Sequence, residues 1–287
     1  MRLMGWGTLA VFTAPLIFGA VLRARVDPPT AGFYAPAAAL PRQESECYGT
    51  PPERFFEFYF TRAIYNDGGA GRFGRFRGGG SWATDFPKAD CQFVTVIKRL
   101  AGLDIYGDSW AIRLDDPKIR RYPFLYALEV GRNGGWRLTE DELAGLRSYL
   151  AAGGFLVIDD FWGTQQWAAF EREMSRILPD RPIVELTPDH EIFRSFYEIA
   201  EVIQVPNIGN GQAIAYGIPG AVTYQQDGYV PHARGIFDDD GRLMVFINFN
   251  TDLGDAWEWA ERPDYPLEFS TFAFQMGVNM ILYAMTH

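Results

Sequence analysis

Residues 153–163 read Gly153-Gly154-Phe155-Leu156-Val157-Ile158-Asp159-Asp160-Phe161-Trp162-Gly163, and this stretch decides the fold. Four consecutive apolar residues between a glycine pair and two carboxylates mark a strand covered by helices on both faces of a parallel sheet. Such a strand has no wet side on which to place alternating polar residues. Upstream, Thr139 and Glu142 have the spacing of a capping box. They open a helix whose apolar face is Leu143, Leu146 and Leu150, and Gly153-Gly154 stops it. Downstream, Thr164 is placed to cap a second helix with an apolar stripe of Trp167, Phe170, Met174, Ile177 and Leu178, and residues 183–186 return as a strand. This βαβ alternation predicts an α/β fold with a parallel sheet.

Further out, the aromatic run Phe55-Phe56-Glu57-Phe58-Tyr59-Phe60 reads as the first strand. Pro87 begins a helix with Phe93, Val94, Ile97, Leu100 and Ala101 at helical spacing, and Tyr122 to Val130 reads as another strand. After Asn207 the chain is turn-rich and strand-like, with Leu243 to Phe249 its clearest strand, and an apolar helix from about Phe269 to Met285 closes it. The whole chain has 287 residues, 48% of them hydrophobic, which excludes disorder as its main state. With 26 basic against 36 acidic residues its formal net charge is −10, so it repels phosphate backbones and nucleic acid is not an expected partner.

The first 25 residues stand apart. Leu3 to Leu22 is uncharged and, at roughly 1.5 Å per residue, long enough to cross a bilayer core, so residues 1–25 are expected to be a signal peptide or a membrane anchor. Residues 26–52 follow as a Pro/Ala-rich linker, and residues 53–287 as a single α/β domain. The expected location is therefore periplasmic or anchored in the inner membrane, with N-terminal membrane contact and other envelope proteins as partners. Two cysteines, Cys47 and Cys91, fall after the apolar segment, in no metal-binding spacing. In an exported protein they pair as a disulfide, which over a loop of about 45 residues is worth on the order of 4 kcal/mol; in a cytosolic one they are buried small hydrophobes.

Several motifs together carry a family resemblance: Trp82-Ala83-Thr84-Asp85-Phe86-Pro87, Tyr122-Pro123-Phe124-Leu125-Tyr126, Gly153 to Gly163, His190-Glu191-Ile192-Phe193 and Gly277 to Thr286. In this order they resemble the bacterial "domain of unknown function" family numbered 4159, over roughly Arg54 to Thr286. The resemblance implies a class I glutamine amidotransferase-like fold, with a flavodoxin-like parallel sheet and helices on both faces, in a protein commonly exported or membrane-associated. Glu191 stands where the family pattern has proline.

An amidotransferase places a nucleophilic cysteine on a strained turn after such a strand, with a histidine as base. Neither Cys47 nor Cys91 is so placed, so the resemblance implies a domain lacking the catalytic cysteine, a binding or assembly module at the envelope rather than an enzyme. The rival reading is a metal-dependent hydrolase at the Asp159/Asp160 cleft. Asp159 and Asp160 end the central strand, where open parallel sheets bind ligands. Successive side chains there point to opposite sides, so one faces the cleft, Asp160 by alternation, and the other caps the following helix. Asp189 and His190 in a turn, and Asp252, Asp255 and Glu258 after the Leu243–Phe249 strand, add hard oxygen ligands and one imidazole. No cofactor is expected, a divalent metal being the one group these residues suit. The glycine-rich stretch Gly68 to Gly80 carries Arg72, Arg75 and Arg77, which with backbone N–H groups make an anion-binding candidate, or else a surface loop.

Overall fold

The computed structural model describes residues 54–68, 80–100 and 102–287. Leu3–Leu22, the linker, Cys47, Arg72, Arg75 and Arg77 lie outside the described residues. Cys91, in the first turn of the first long helix, is disulfide-bonded.

The apolar run becomes β4 of a seven-stranded sheet. In chain order the strands are β1 (Thr61–Ile64), β2 (Trp110–Arg113), β3 (Phe124–Leu128), β4 (Phe155–Asp159), β5 (Val184–Glu185), β6 (His232–Phe237) and β7 (Leu243–Phe249). They lie side by side as β2-β1-β3-β4-β7-β6-β5. The first five in that row are parallel; β6 and β5 run antiparallel at one edge. The parallel part has the flavodoxin-like order, second strand, first, third, fourth, fifth, whose topological switch falls between β1 and β3.

Helices cover both faces, and β4 alternates between them. Phe155 and Val157 join the core formed with α1 (Lys88–Leu100), α5 (Leu253–Glu258) and α6 (Leu267–Thr286). Leu156 and Ile158 join the core formed with α2 (Glu140–Ala151) and α3 (Gly163–Ile177). The Thr139/Glu142 capping box is formed, with Thr139 accepting from the Glu142 N–H at 3.2 Å and Glu142 accepting from the Thr139 N–H at 2.9 Å. Burying a β4 side chain such as Phe155 on this two-sided core contributes about 1.5–3 kcal/mol.

Four local expectations are corrected. The first strand starts at Thr61, after the aromatic run, because Phe58 meets a neighbour only in an isolated bridge to Ile105. The ladder residue Arg62 is instead fully buried and ion-paired with Asp90 of α1. Residues 183–186 do not return as a parallel strand; they form the two-residue β5, which pairs antiparallel with β6. Thr164 does not cap α3: its own N–H and hydroxyl donate to Asp227, at 2.9 and 2.6 Å. After Asn207 there are two helices where turns were expected, α4 (Ile208–Ala215) and α5. Gly211 lets α4 approach Tyr265, since a Cβ there would sit 2.6 Å from the ring.

Arg62 does more than fill the core. Its Nη1 donates to the carbonyls of Trp82 and Thr84, at 3.4 and 3.1 Å, and so ties residues 82–84 to β1. Beside this, Asp67 Oδ2 accepts the N–H of Ser81 at 2.8 Å, clasping the two ends of the stretch between Gly68 and Gly80.

Candidate functional site

Five parallel strands leave their carboxyl ends on one side of the sheet, and three of these ends, with the strap at residue 85, carry the acidic residues of one cavity of about 850 Å³. Glu129 follows β3, Asp160 follows β4, Asp252 and Asp255 follow β7, and Asp85 hangs over them on the strap held by Arg62. Among the described residues six non-glycine residues have left-handed φ, and five line this cavity: Asp85 (59°), Glu129 (56°), Asn133 (53°), Asp160 (49°) and Gln226 (51°). The sixth is Asn250 (60°). Asn250 accepts the Gly163 N–H at 2.9 Å and donates to the Val230 carbonyl at 2.7 Å, joining β7 to the start of α3 and to the 225–230 turn. Each such backbone costs on the order of 1 kcal/mol or more and is kept only where the surroundings enforce it.

The adjacent carboxylates of β4 have separate duties. Asp159 is fully buried and does not line the cavity; its Oδ2 accepts the Tyr126 hydroxyl and the N–H groups of Leu253 and Gly254, at 2.9 and 3.2 Å. It thus caps α5, three strands further along the chain, and not the helix that follows it. Burial pushes its carboxyl up to about 7 even though the Tyr126 bond works against this. Asp160 turns the other way, into the cavity, with Oδ1 accepting the Trp162 indole N–H at 2.8 Å. Its carboxyl stands well above the ordinary range because it is buried, with the Glu129 charge adding to the shift.

Asp252 accepts the Asp255 N–H at 2.8 Å as the cap residue of α5. Asp255 accepts from Ile208 N–H at 2.6 Å and from the Trp259 indole at 3.1 Å. The expected acidic loop is therefore the first turn of a helix. Oxygens of Asp85, Asp160 and Asp252 lie within 4.8 Å of one another, and so do those of Asp85, Asp255 and Glu258. Burial raises the carboxyls of Asp85 and Asp252 well above their ordinary value, and neighbouring carboxylates raise them further. Glu129, buried and held by Arg132, is pushed up to about 7.

Asp85 Oδ2 is sealed from solvent and accepts no hydrogen bond. It faces Gly254, where a Cβ would lie 2.8 Å from it, 3.3 Å from the Tyr126 hydroxyl and 3.5 Å from Asp252 Oδ1. The missing side chain thus leaves a small hollow walled by oxygens. Two oxygens on one hard cation, each at about 2.1–2.5 Å, are at most about 5 Å apart, so the donor set suits Mg²⁺, Mn²⁺ or Ca²⁺.

His190 does not join them. Its Nδ1 accepts the Ile192 N–H at 3.2 Å, and with Asp189, Glu191, Arg242 and His287 it lines another hollow of about 490 Å³ beside the amino end of β7. That is the opposite end of the sheet from Asp160. Asp85, read only as part of the Trp82–Pro87 motif, and Glu129, read only as part of the Tyr122–Val130 strand, were not among the expected site residues; the available signal for Glu129 was a lone charge at the tail of an apolar strand.

A family model described as "Domain of unknown function (DUF4159)" matches residues 72–285. No curated protein matches the chain.

Proposed function

The chain belongs to the DUF4159 family of domains of unknown function, and from the cavity itself we propose that it is a divalent-cation-dependent binding module of the bacterial cell envelope. The cation would rest on Asp85, Asp160 and Asp252 and present an envelope ligand to the polar cavity. The observation that carries this reading is the buried, unpartnered Oδ2 of Asp85 beside two further carboxylates. An orphaned buried oxygen costs about 1–3 kcal/mol, a cost that a cation would remove. Export rests on the Leu3–Leu22 run. The amidotransferase-like relationship belongs to the same proposal, supported by the φ of 49° at Asp160 between β4 and α3, the place of a strained nucleophile, filled here by a carboxylate.

The test is calorimetric titration of chelator-treated full chain with Mn²⁺, Mg²⁺ and Ca²⁺, beside Asp85→Asn. Binding to the wild type that the variant loses is expected; equal heats from both would refute the assignment.

A second reading, hydrolysis at the same cation, is favoured by Glu129. A carboxylate near 7 in the cavity wall can take a proton from an attacking water at neutral pH. Glu129→Gln would then bind cation as before and lose turnover of an ester substrate such as p-nitrophenyl acetate or phosphate.

A further inference from the structure

Asp85 belongs to two groups of carboxylates at once. On one side are Asp160 and Asp252, from the ends of β4 and β7; on the other are Asp255 and Glu258, one helical turn apart on α5. From this geometry we infer that the cavity takes two divalent cations, with Asp85 bridging them, Asp160 and Asp252 completing the first position and Asp255 and Glu258 the second. The inference rests on the cation-dependent reading above and adds a second metal position to it.

A carboxylate that bridges two cations offers one oxygen to each, and carboxylate-bridged pairs are about 3.5–4 Å apart. Asp85 has the features of such a bridge. Its Oδ2 is buried without a hydrogen-bond partner and is the nearest atom to the Gly254 hollow, on which Asp252 Oδ1 also borders. Its strap is fixed from behind by the Arg62 bonds to the Trp82 and Thr84 carbonyls, so the carboxylate is held over the sheet ends without being neutralised directly. The Asp90 carboxylate already pairs with that guanidinium. On the second side, Asp255 accepts from the Ile208 N–H and the Trp259 indole N–H. These bonds orient its carboxylate, as donors behind a metal ligand commonly do. Because α5 carries both Asp255 and Glu258, and Asp159 caps that helix from β4, the second position is locked in register with the first.

The full chain, stripped with chelator and titrated with Mn²⁺, decides the matter by stoichiometry and by electron paramagnetic resonance. Two Mn²⁺ per chain with an exchange-coupled spectrum are expected, and Glu258→Gln should bind one Mn²⁺ with an uncoupled spectrum. One Mn²⁺ per wild-type chain would overturn the bridged pair and leave the single-cation reading standing, whereas no Mn²⁺ would overturn both. Two uncoupled Mn²⁺ that Glu258→Gln does not reduce would also overturn it, since the second ion would then lie elsewhere. Should Glu258→Gln fail to fold, the wild-type stoichiometry and coupling suffice.

Discussion

Asp85→Asn tests whether the strap carboxylate serves a ligand or the fold. Its oxygen lies within 4.8 Å of oxygens on Asp160 and Asp252. Two full negative charges at that separation repel by at least about 3.5 kcal/mol at an effective permittivity near 20. Protonation of the neighbours relieves part of this, so neutralising one member is expected to return about 1–3 kcal/mol in metal-free protein at pH 8. For a domain of this size each kcal/mol is worth roughly 2–4 °C in Tm. The gain should fade by pH 5.5, where the raised carboxyls of the wild type already carry protons. Mn²⁺ at a hundredfold excess over its Kd should stabilise the wild type by about 2.7 kcal/mol and leave the variant unmoved. Differential scanning fluorimetry at both pH values, with and without Mn²⁺, reads all four numbers. A metal-free variant less stable than wild type at pH 8, with its Mn²⁺ response intact, would show that Asp85 holds the strap and not a cation.

The other expectations concern the same strand ends and the export of the chain. Glu129 and Asp159, both pushed to about 7 by burial, bind protons more tightly folded than unfolded, so metal-free stability should rise as pH falls from 8 to 5. From Glu129 alone, moving from 4.5 to about 7, the rise is on the order of 3 kcal/mol at 1.36 kcal/mol per pH unit, and urea midpoints that fall on acidification across this range would contradict it. Asp159→Ala strips α5 of two capped N–H groups and orphans Tyr126, and should cost about 2–4 kcal/mol in urea unfolding. Asp160→Ala orphans the Trp162 indole N–H but relieves carboxylate repulsion, so it should cost less stability than Asp159→Ala and lose cation binding; the opposite pattern would exchange their roles. Gly254→Ala would push a methyl to 2.8 Å from Asp85 Oδ2 and should weaken Mn²⁺ binding at least tenfold while the circular dichroism spectrum is unchanged. An alkaline phosphatase fused after His287 should be active if the chain is exported, and activity from a cytoplasmic reporter alone would end that reading.

What the sequence disclosed follows the range of the forces involved. The run at β4, the Thr139/Glu142 box and the stripes of α1 and α6 are local periodicities, and they appear where expected. α4 was hidden by Gly209 and Gly211, whose low helix propensity is overridden by packing against Tyr265, and α5 by its six-residue length and acidic face. The cap on α3 was unreadable because its acceptor, Asp227, lies 63 residues away. In the site, Asp160 and Asp252 were accessible through the rule that places ligands at strand ends. Asp85 was not: it reaches the cavity only because a buried arginine, a residue type that reads as surface, pulls its strap onto the sheet. His190 carried no sign of which end of the sheet its turn would occupy.

The clasp between Asp67 and Ser81 separates two kinds of evolutionary change. Asp67 and Ser81, on either side of residues 68–80, are joined by one hydrogen bond, and the strap that bears Asp85 is tied to β1 by Arg62. Whatever lies between can be lengthened or replaced at little cost to the anchored part, because doubling a loop adds only about 0.6 kcal/mol of closure entropy. Homologous domains are thus free to lengthen or replace this stretch at little cost to the anchored carboxylates. Grafting the stretch from one relative onto another should therefore leave the urea midpoint of the recipient domain nearly unchanged.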